Sequence, residues 1–334
     1  MRPIKLAILG ATGAVGREML RLIEEYQIPV EELRLLSGPN SAGKTILFRG
    51  EKQLVQCAAE ESFTGLDCVL GASDQPISRR FAPAIRRSGA VYIDNSAAFR
   101  MDPEVPLVVP EINGRDAFEH HGIIANPNCS TIITLMAVAG IHRLSPIRSM
   151  VVSTYQAVSG AGVQGQRELE DEIAAYVQGK NPQPSVFPVP IAMNVIPWIG
   201  AGQPNGYTDE EMKMQNEGRR ILHRPELSVS CTCVRVPVMR SHSISVTLWT
   251  ENAVSLSDAR AAIASFPGCR LTEDETRNYP TPLDTGGQDL VYVGRLREDL
   301  THPNGLCLWC CGDQIRKGAA ANALQILQLL ESGR

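Results

Sequence analysis

The chain has 334 residues, 43% of them apolar and 20% charged, which is the composition of a globular domain protein and more length than one hydrophobic core usually holds. Its 32 Lys and Arg against 36 Asp and Glu leave a net charge of −4, and no basic stripe runs through it, so a nucleic-acid footprint is excluded. No apolar run reaches the ~18–20 residues that span a bilayer, and Met1–Leu9 has neither a signal-peptide nor a transit layout, so a cytoplasmic protein without membrane contact is expected.

Taken in order, Ile4–Leu9, Leu33–Leu36, Asp67–Ala72, Val91–Asp94 and Ile123–Ala125 read as short β-branched strands, with helices at Arg17–Tyr26 and Pro76–Ser88 between them. Continuous apolar strands alternating with helices predict a doubly wound parallel sheet of the Rossmann type. The first strand runs into Gly10-Ala-Thr-Gly-Ala-Val-Gly16, where glycines permit a tight turn and close approach to a pyrophosphate at a helix N-terminus. A plain tight turn is the bland alternative for this G-x-x-G-x-x-G spacing. The cofactor residues expected here are Gly10, Thr12, Gly13, Ala14, Val15 and Gly16, joined by Ser37, Asn40 and Ser41 after the second strand. That second segment, Leu35 to Lys44, carries no acid to bind a ribose 2′-hydroxyl, which favours NADP(H) over NAD.

Beyond residue 130 the strands Val229–Val238, Ser243–Glu251, Leu290–Leu296 and Leu306–Cys310 alternate more, predicting an antiparallel sheet with one face on helices. Lys180–Gly206 reads as a long irregular loop, and Arg316–Leu330 as a final helix returning to the first domain. The expected division is therefore 1–128 with 316–334 for the nucleotide and 129–315 for catalysis and dimerisation.

The nine cysteines lack any paired C-x-x-C spacing, so no metal site is expected and eight of them read as small buried hydrophobes. Cys129 differs. In Asn126-Pro-Asn-Cys-Ser-Thr131 an apolar strand ends and a long helix, Thr131–Leu144, begins with Ser130 as its natural N-cap. A thiolate at that positive helix end is stabilised, and the thiolate is the nucleophile. Gln156-Ala-Val-Ser-Gly-Ala-Gly162 follows the strand Ser149–Ser153 and offers an amide and turn N–H groups. Val234-Arg-Val-Pro-Val-Met-Arg-Ser-His-Ser243 places Arg235 and His242 either side of a bend; one suits carboxylate capture and the other proton transfer. On position alone each could equally be a surface ion-pair residue or a structural histidine.

These clusters, with Asp94–Arg100, Gly206–Lys213 and Arg316–Ala320, occur in the order found in aspartate-semialdehyde dehydrogenases, and the chain resembles that family from residue 4 to 330. The resemblance implies a Rossmann-like domain plus an α+β domain of the glyceraldehyde-3-phosphate-dehydrogenase-like type, and a homodimer. It implies Cys129 as thioester nucleophile, His242 as acid/base, and Gln156 and Arg235 as substrate-holding groups, with Asn128 beside the nucleophile. Arg100 and Lys213 match phosphate-binding positions for inorganic phosphate or an acyl phosphate. Glu211 matches a substrate-side position, although Thr208-x-x-Glu211 is also a capping box. Ser159, Gly160 and Gln314 match further cofactor-binding positions, Gln314 on the nicotinamide side. The implied reaction is NADPH-dependent reduction of 4-phospho-L-aspartate to L-aspartate 4-semialdehyde, in lysine/diaminopimelate, threonine and methionine biosynthesis. An N-acetyl-glutamyl-phosphate reductase or a non-catalytic nucleotide-binding paralogue would share parts of the pattern. The chain departs from the family at Asn40, where an Arg is usual, at Ala72-Ser-Asp-Gln75 in place of a glycine-rich turn, and at Gln314 in place of Asn.

Overall fold

The computed structural model describes residues 2–273 and 276–333. Two compact units emerge, Met1–Asn128 with Ala319–Arg334, and Cys129–Gly318.

The first unit is built on a seven-stranded sheet of order β3-β4-β2-β1-β5-β6-β7. Its strands are β1 (Ile4–Leu9), β2 (Val30–Ser37), β3 (Thr45–Phe48), β4 (Glu51–Cys57), β5 (Cys68–Gly71), β6 (Val91–Asp94) and β7 (Ile123–Ala125). In β1 every side chain but Lys5 is buried, as a strand covered on both faces requires. All neighbours pair in parallel except β3 with β4, an antiparallel edge hairpin. Sequence reading misses this hairpin because most of its side chains are solvent-facing, so no apolar run marks it. The chain leaves β1 for β2 on one side and reaches β5 on the other, so the sheet switches direction at the C-terminal end of β1. Ligands of open α/β sheets bind at such a point. The last helix, Ala321–Ser332, joins this unit's core, with Leu324 and Leu327 packed among residues such as Ile4, Leu6 and Met19. The stretch expected to start that helix, Arg316–Ala320, is instead a wider π-turn.

The second unit carries a six-stranded sheet, ordered β11-β12-β13-β10-β8-β9. Its members are β8 (Ile147–Gln156), β9 (Ser228–Arg235), β10 (His242–Thr250), β11 (Cys269–Leu271), β12 (Val291–Glu298) and β13 (Gly305–Gly312). The inner strands are antiparallel as expected, but the two edge pairs, β8 with β9 and β11 with β12, are parallel. The reason lies in the connection from β8 to β9, which contains the helices Gly162–Val177 and Asp209–Ile221 and so supplies the crossover a parallel pair needs. Between those helices, residues 178–207 hold no helix or extended strand, only bridges and turns, in line with the irregular loop read from sequence. Two carboxylates pin this loop. Glu168 accepts from the backbone of Ser185, Val186 and Phe187, and Glu172 from Ile191 and Ala192.

The helix Cys129–Leu144 is buried from Ser130 to Ile141 and lies against β8, β10, β12 and β13. A helix apolar all round can only be a core helix. The opposite side of the sheet leaves Val151 and Tyr155 of β8 exposed.

Candidate active site

Strand register assembles three of the expected residues. Gln156, the last residue of β8, pairs with Arg235, the last of β9, in parallel. His242 opens β10, which runs antiparallel to β8, and its neighbour Ser243 pairs with Tyr155. Gln156, Arg235 and His242 therefore meet at one end of the sheet, where the buried helix presents its first residue, Cys129. The helix starts two residues before the predicted Thr131, with Cys129 as its first residue, so Ser130 sits in the first turn, where its hydroxyl accepts from Gln156 Nε2 at 2.9 Å.

Cys129 Sγ stands 3.5 Å from His242 Nε2. The other ring nitrogen, Nδ1, accepts the Ala157 backbone N–H at 3.1 Å. Complete burial pushes the His242 pKa down from 6.5 to about 3; Arg235 adds to the shift and Glu210 opposes it. The ring is neutral at physiological pH. Arg235 is also buried; its Nη1 donates to Ala157 O at 2.7 Å and its Cζ stands 5.7 Å from the Phe187 ring centroid. Burial lowers the Arg235 pKa while the charges of Cys129 and Glu210 oppose this, and a guanidinium keeps its proton regardless.

Glycines make room for this cluster. A Cβ on Gly160 would come within 2.7 Å of Arg235 Nη1, and one on Gly318 within 2.9 Å of Cys129 Cβ. Gly160, expected at the cofactor, thus packs directly on Arg235 and His242. Gly318→Ala is expected to slow Cys129 alkylation and turnover together while the far-ultraviolet dichroism holds, because overpacking costs typically about 1–3 kcal/mol and the nearest atom is Cys129 Cβ. Unchanged alkylation kinetics would refute this.

Of the two readings open for Glu211, substrate-side group or capping-box residue, the structure shows the cap. Glu211 does not face the site: it closes the capping box with Thr208 and its Oε1 accepts from Cys233 N at 3.0 Å. The N-cap geometry demands a carboxylate three residues on, which fixes Glu211 there. One position earlier on the helix, Glu210 accepts from Gln156 Nε2 at 3.3 Å and from Lys213 Nζ at 2.9 Å. Sequence reasoning missed Glu210, although its i,i+3 spacing to Lys213 is a readable signal. Lys213 also lies 3.5 Å from Asp209.

Ser159 and Gln314 occupy each other. Gln314 Nε2 donates to Ser159 Oγ, and Gln314 Oε1 accepts the N–H of Ser241, whose φ is +79°. Arg100 belongs to the first unit, where its Nε donates to Asn126 O at 3.0 Å and its Nη2 to Asn95 O at 2.7 Å. Asn128, buried, immediately precedes Cys129.

In the first unit, Gly10 has φ +96°, and a Cβ there would meet Ala72 O at 2.5 Å, so only glycine fits. Gly13 is the N-cap of the helix Ala14–Glu25, whose first residues are Ala14, Val15 and Gly16. Thr12 Oγ1 shares a hydrogen bond with Ser37 Oγ at 3.0 Å and reaches Ser41 Oγ at 3.4 Å, forming a hydroxyl cluster at the ends of β1 and β2. Beside it lies a cavity of about 510 Å³ whose walls include Gly10, Ser37, Cys57, Asp74 and Arg80. Asn40 is exposed and is not among those walls. Asp74 serves as N-cap of the helix Gln75–Ser88, accepting from Ile77 N. Arg80 is a second residue that sequence reasoning missed.

Two family models match the chain: semialdehyde dehydrogenase, NAD binding domain, over residues 5–121, and semialdehyde dehydrogenase, dimerisation domain, over 138–317. The aspartate-semialdehyde dehydrogenase of Synechocystis sp. is 50% identical over 329 residues, covering 98% of this chain and 97% of that one. The chain belongs to the aspartate-semialdehyde dehydrogenase family. The Aquifex aeolicus member is 45% identical over 331 residues, with 98% of this chain and 97% of that one covered. Among solved structures, the Vibrio cholerae aspartate semialdehyde dehydrogenase II complexed with ASA superposes with a TM-score of 0.97 at 40% identity, over 99% of both chains.

For a member of this family with a neutral buried histidine, acid stability follows from linkage. The unfolded histidine binds a proton below its ordinary pKa of 6.5, while the folded ring refuses one until about 3. The contribution of His242 is therefore complete above ~6.5 and is lost as pH falls toward ~3. His242→Gln is expected to flatten this part of the acid limb, read as the denaturation midpoint near neutrality and near pH ~4.5. An equal loss in both proteins would contradict it.

Proposed function

We propose that this chain catalyses the reversible NADPH-dependent reduction of 4-phospho-L-aspartate to L-aspartate 4-semialdehyde and phosphate through a thioester on Cys129. One observation carries the reading: the Cys129 sulfur sits in the first turn of a buried helix, 3.5 Å from His242 Nε2, at the sheet end shared with Gln156 and Arg235. In the reductive direction the Cys129 thiolate attacks the acyl phosphate carbon, the C–S bond forms and phosphate departs. His242 Nε2 faces the carbonyl oxygen as charge develops on it. When the thioester carbon has received a hydride, the C–S bond breaks, the aldehyde forms and the thiolate returns. Arg235 grips the α-carboxylate in a bidentate fork, Gln156 and Glu210 serve the polar end of the substrate, and Arg100 and Lys213 serve the phosphate.

The first unit fits a dinucleotide: Gly10 admits no Cβ, and the turn at Gly13 opens a helix beside the cavity. Gly10 through Gly16, Ser37 and Ser41 would hold it, and when bound it supplies the hydride. The preference for NADP(H) rests on a β2 end without an acid, the hydroxyls of Thr12, Ser37 and Ser41, and Arg80 in the cavity wall. We place the protein in the cytoplasm as a homodimer that pairs through the exposed sheet face bearing Val151 and Tyr155, consistent with the dimerisation-domain match. Its place is in lysine, threonine and methionine biosynthesis.

The test is a coupled assay with L-aspartate 4-semialdehyde and phosphate, run with NADP and NAD side by side. Phosphate-dependent reduction faster with NADP is expected. Turnover only with N-acetyl-glutamate semialdehyde, or none with either aldehyde, would overturn the proposal.

A further inference from the structure

One nitrogen of His242 is committed before any substrate arrives. Nδ1 stands 3.1 Å from the Ala157 backbone nitrogen, with the N–H directed at it, and Nε2 stands 3.5 Å from Cys129 Sγ. A backbone N–H can only donate, so Nδ1 must hold a lone pair, and a neutral imidazole of that form carries its proton on Nε2. Turning the ring over would put carbon against both partners, so the two contacts agree on one orientation. We propose that the Ala157 N–H is a positioning group that locks His242 in the neutral Nε2–H form, so that His242 acts as a hydrogen-bond donor to the sulfur and then to the carbonyl oxygen, and not as the base that takes the thiol proton.

An imidazolium would need a proton on Nδ1, aimed at the Ala157 N–H, and two donors would meet head to head. The charged groups facing the ring are Arg235 from β9, Glu210 from the helix Asp209–Ile221 and Cys129 from its own helix. Arg235 opposes a second positive charge on the ring. The chemistry closes without a base. In the oxidative direction the thiolate electron pair forms the C–S bond and the carbonyl pair moves to oxygen, where Nε2–H receives it. That pair then re-forms the C=O bond as a hydride leaves carbon with its own pair, which a bound nicotinamide would accept. No proton moves in either step. The thiol proton has already gone to solvent, and the helix N-terminus and Arg235 hold the thiolate.

This inference rests on the thioester reading for its catalytic half only. The lock itself is open to a substitution that removes one hydrogen. Ala157 has φ −62° and ψ 151°, values that proline adopts, and the preceding Gln156 is in extended strand. Ala157→Pro deletes the N–H and keeps the Ala157 carbonyl, which holds Arg235 and Gly160. Nitrogen NMR of histidine-labelled protein without ligands, with the His242 signals identified by their loss in His242→Gln, should show unprotonated Nδ1 and protonated Nε2 unchanged across the neutral range. In Ala157→Pro the ring should titrate, and an imidazole ionisation should enter the pH profile of Cys129 alkylation. Wild-type protein with a proton on Nδ1, or Ala157→Pro with unaltered nitrogens, overturns the lock; should Ala157→Pro not fold, the wild-type spectrum decides alone. For the donor role, losing one such hydrogen bond costs turnover about 10²–10³-fold. His242→Gln, which can place an N–H near the Nε2 position, should keep at least roughly tenfold more turnover than His242→Ala. Equal loss in both overturns it. Wild-type protein with the locked ring but no turnover would refute the proposed reaction and leave the lock standing.

Discussion

Cys129→Ala is expected to lower phosphate-dependent turnover by a factor on the order of 10⁶, the scale seen when a covalent nucleophile is removed, with the fold retained. The residue is small and partly exposed, so its loss leaves little void. Alkylation separates Cys129 from three of the buried thiols. Cys231 is pushed far up in pKa by Cys233, whose sulfur lies 3.8 Å away, and by burial. Burial likewise raises Cys310, and raises Cys311 to about 12. None of these three forms a thiolate near neutrality, and only the thiolate is alkylated. Peptide mapping after brief iodoacetamide treatment should therefore find label on Cys129 and the exposed Cys57 and none on Cys231, Cys310 or Cys311. Turnover retained in Cys129→Ala would sink the thioester mechanism.

Arg235→Ala should raise KM for the semialdehyde by two to three orders of magnitude, since truncating one partner of a buried charge pair costs ~2–5 kcal/mol. Arg235→Lys should rescue little of it. The guanidinium reaches Ala157 O with Nη1 while its plane lies near Phe187, and a single ammonium cannot copy that fork. A second effect is coupled to the first. Because Arg235 helps hold the His242 pKa down, its removal should let that pKa rise. Steady-state kinetics and histidine NMR on the two variants give both readings. A KM within threefold of wild type in Arg235→Ala would remove Arg235 from the substrate grip, with the threefold bound equal to about 0.65 kcal/mol.

Local patterns account for what was readable in advance. The buried strand β1, the glycine turn and the following helix lie within 25 residues of one another, so sequence spacing alone describes them. Cys129 was singled out in the same way, by a strand end and a helix start that adjoin it. The edge hairpin β3–β4 escaped because its exposure leaves no apolar period to detect. Ser130 was placed one position outside the helix it belongs to, an error within the usual uncertainty of helix ends.

What the chain could not disclose by itself is everything that depends on register between distant strands. Gln156 and Arg235 are neighbours because β8 and β9 pair in parallel, and that pairing exists only because the intervening chain folds into a crossover. The capping box read from Thr208-x-x-Glu211 places Glu211 at the helix end, but that Glu210 then reaches Gln156 is decided by how the helix packs against the sheet. The tautomer of His242 likewise comes from the amide of Ala157, which lies 85 residues away along the chain. Sequence alone determined which residue types, glycines, a thiol, an imidazole and an arginine, were available and what local element carried each. Tertiary structure decided which of them touch, because hydrogen-bond register and burial act between segments whose spacing along the chain carries no information about their distance in space.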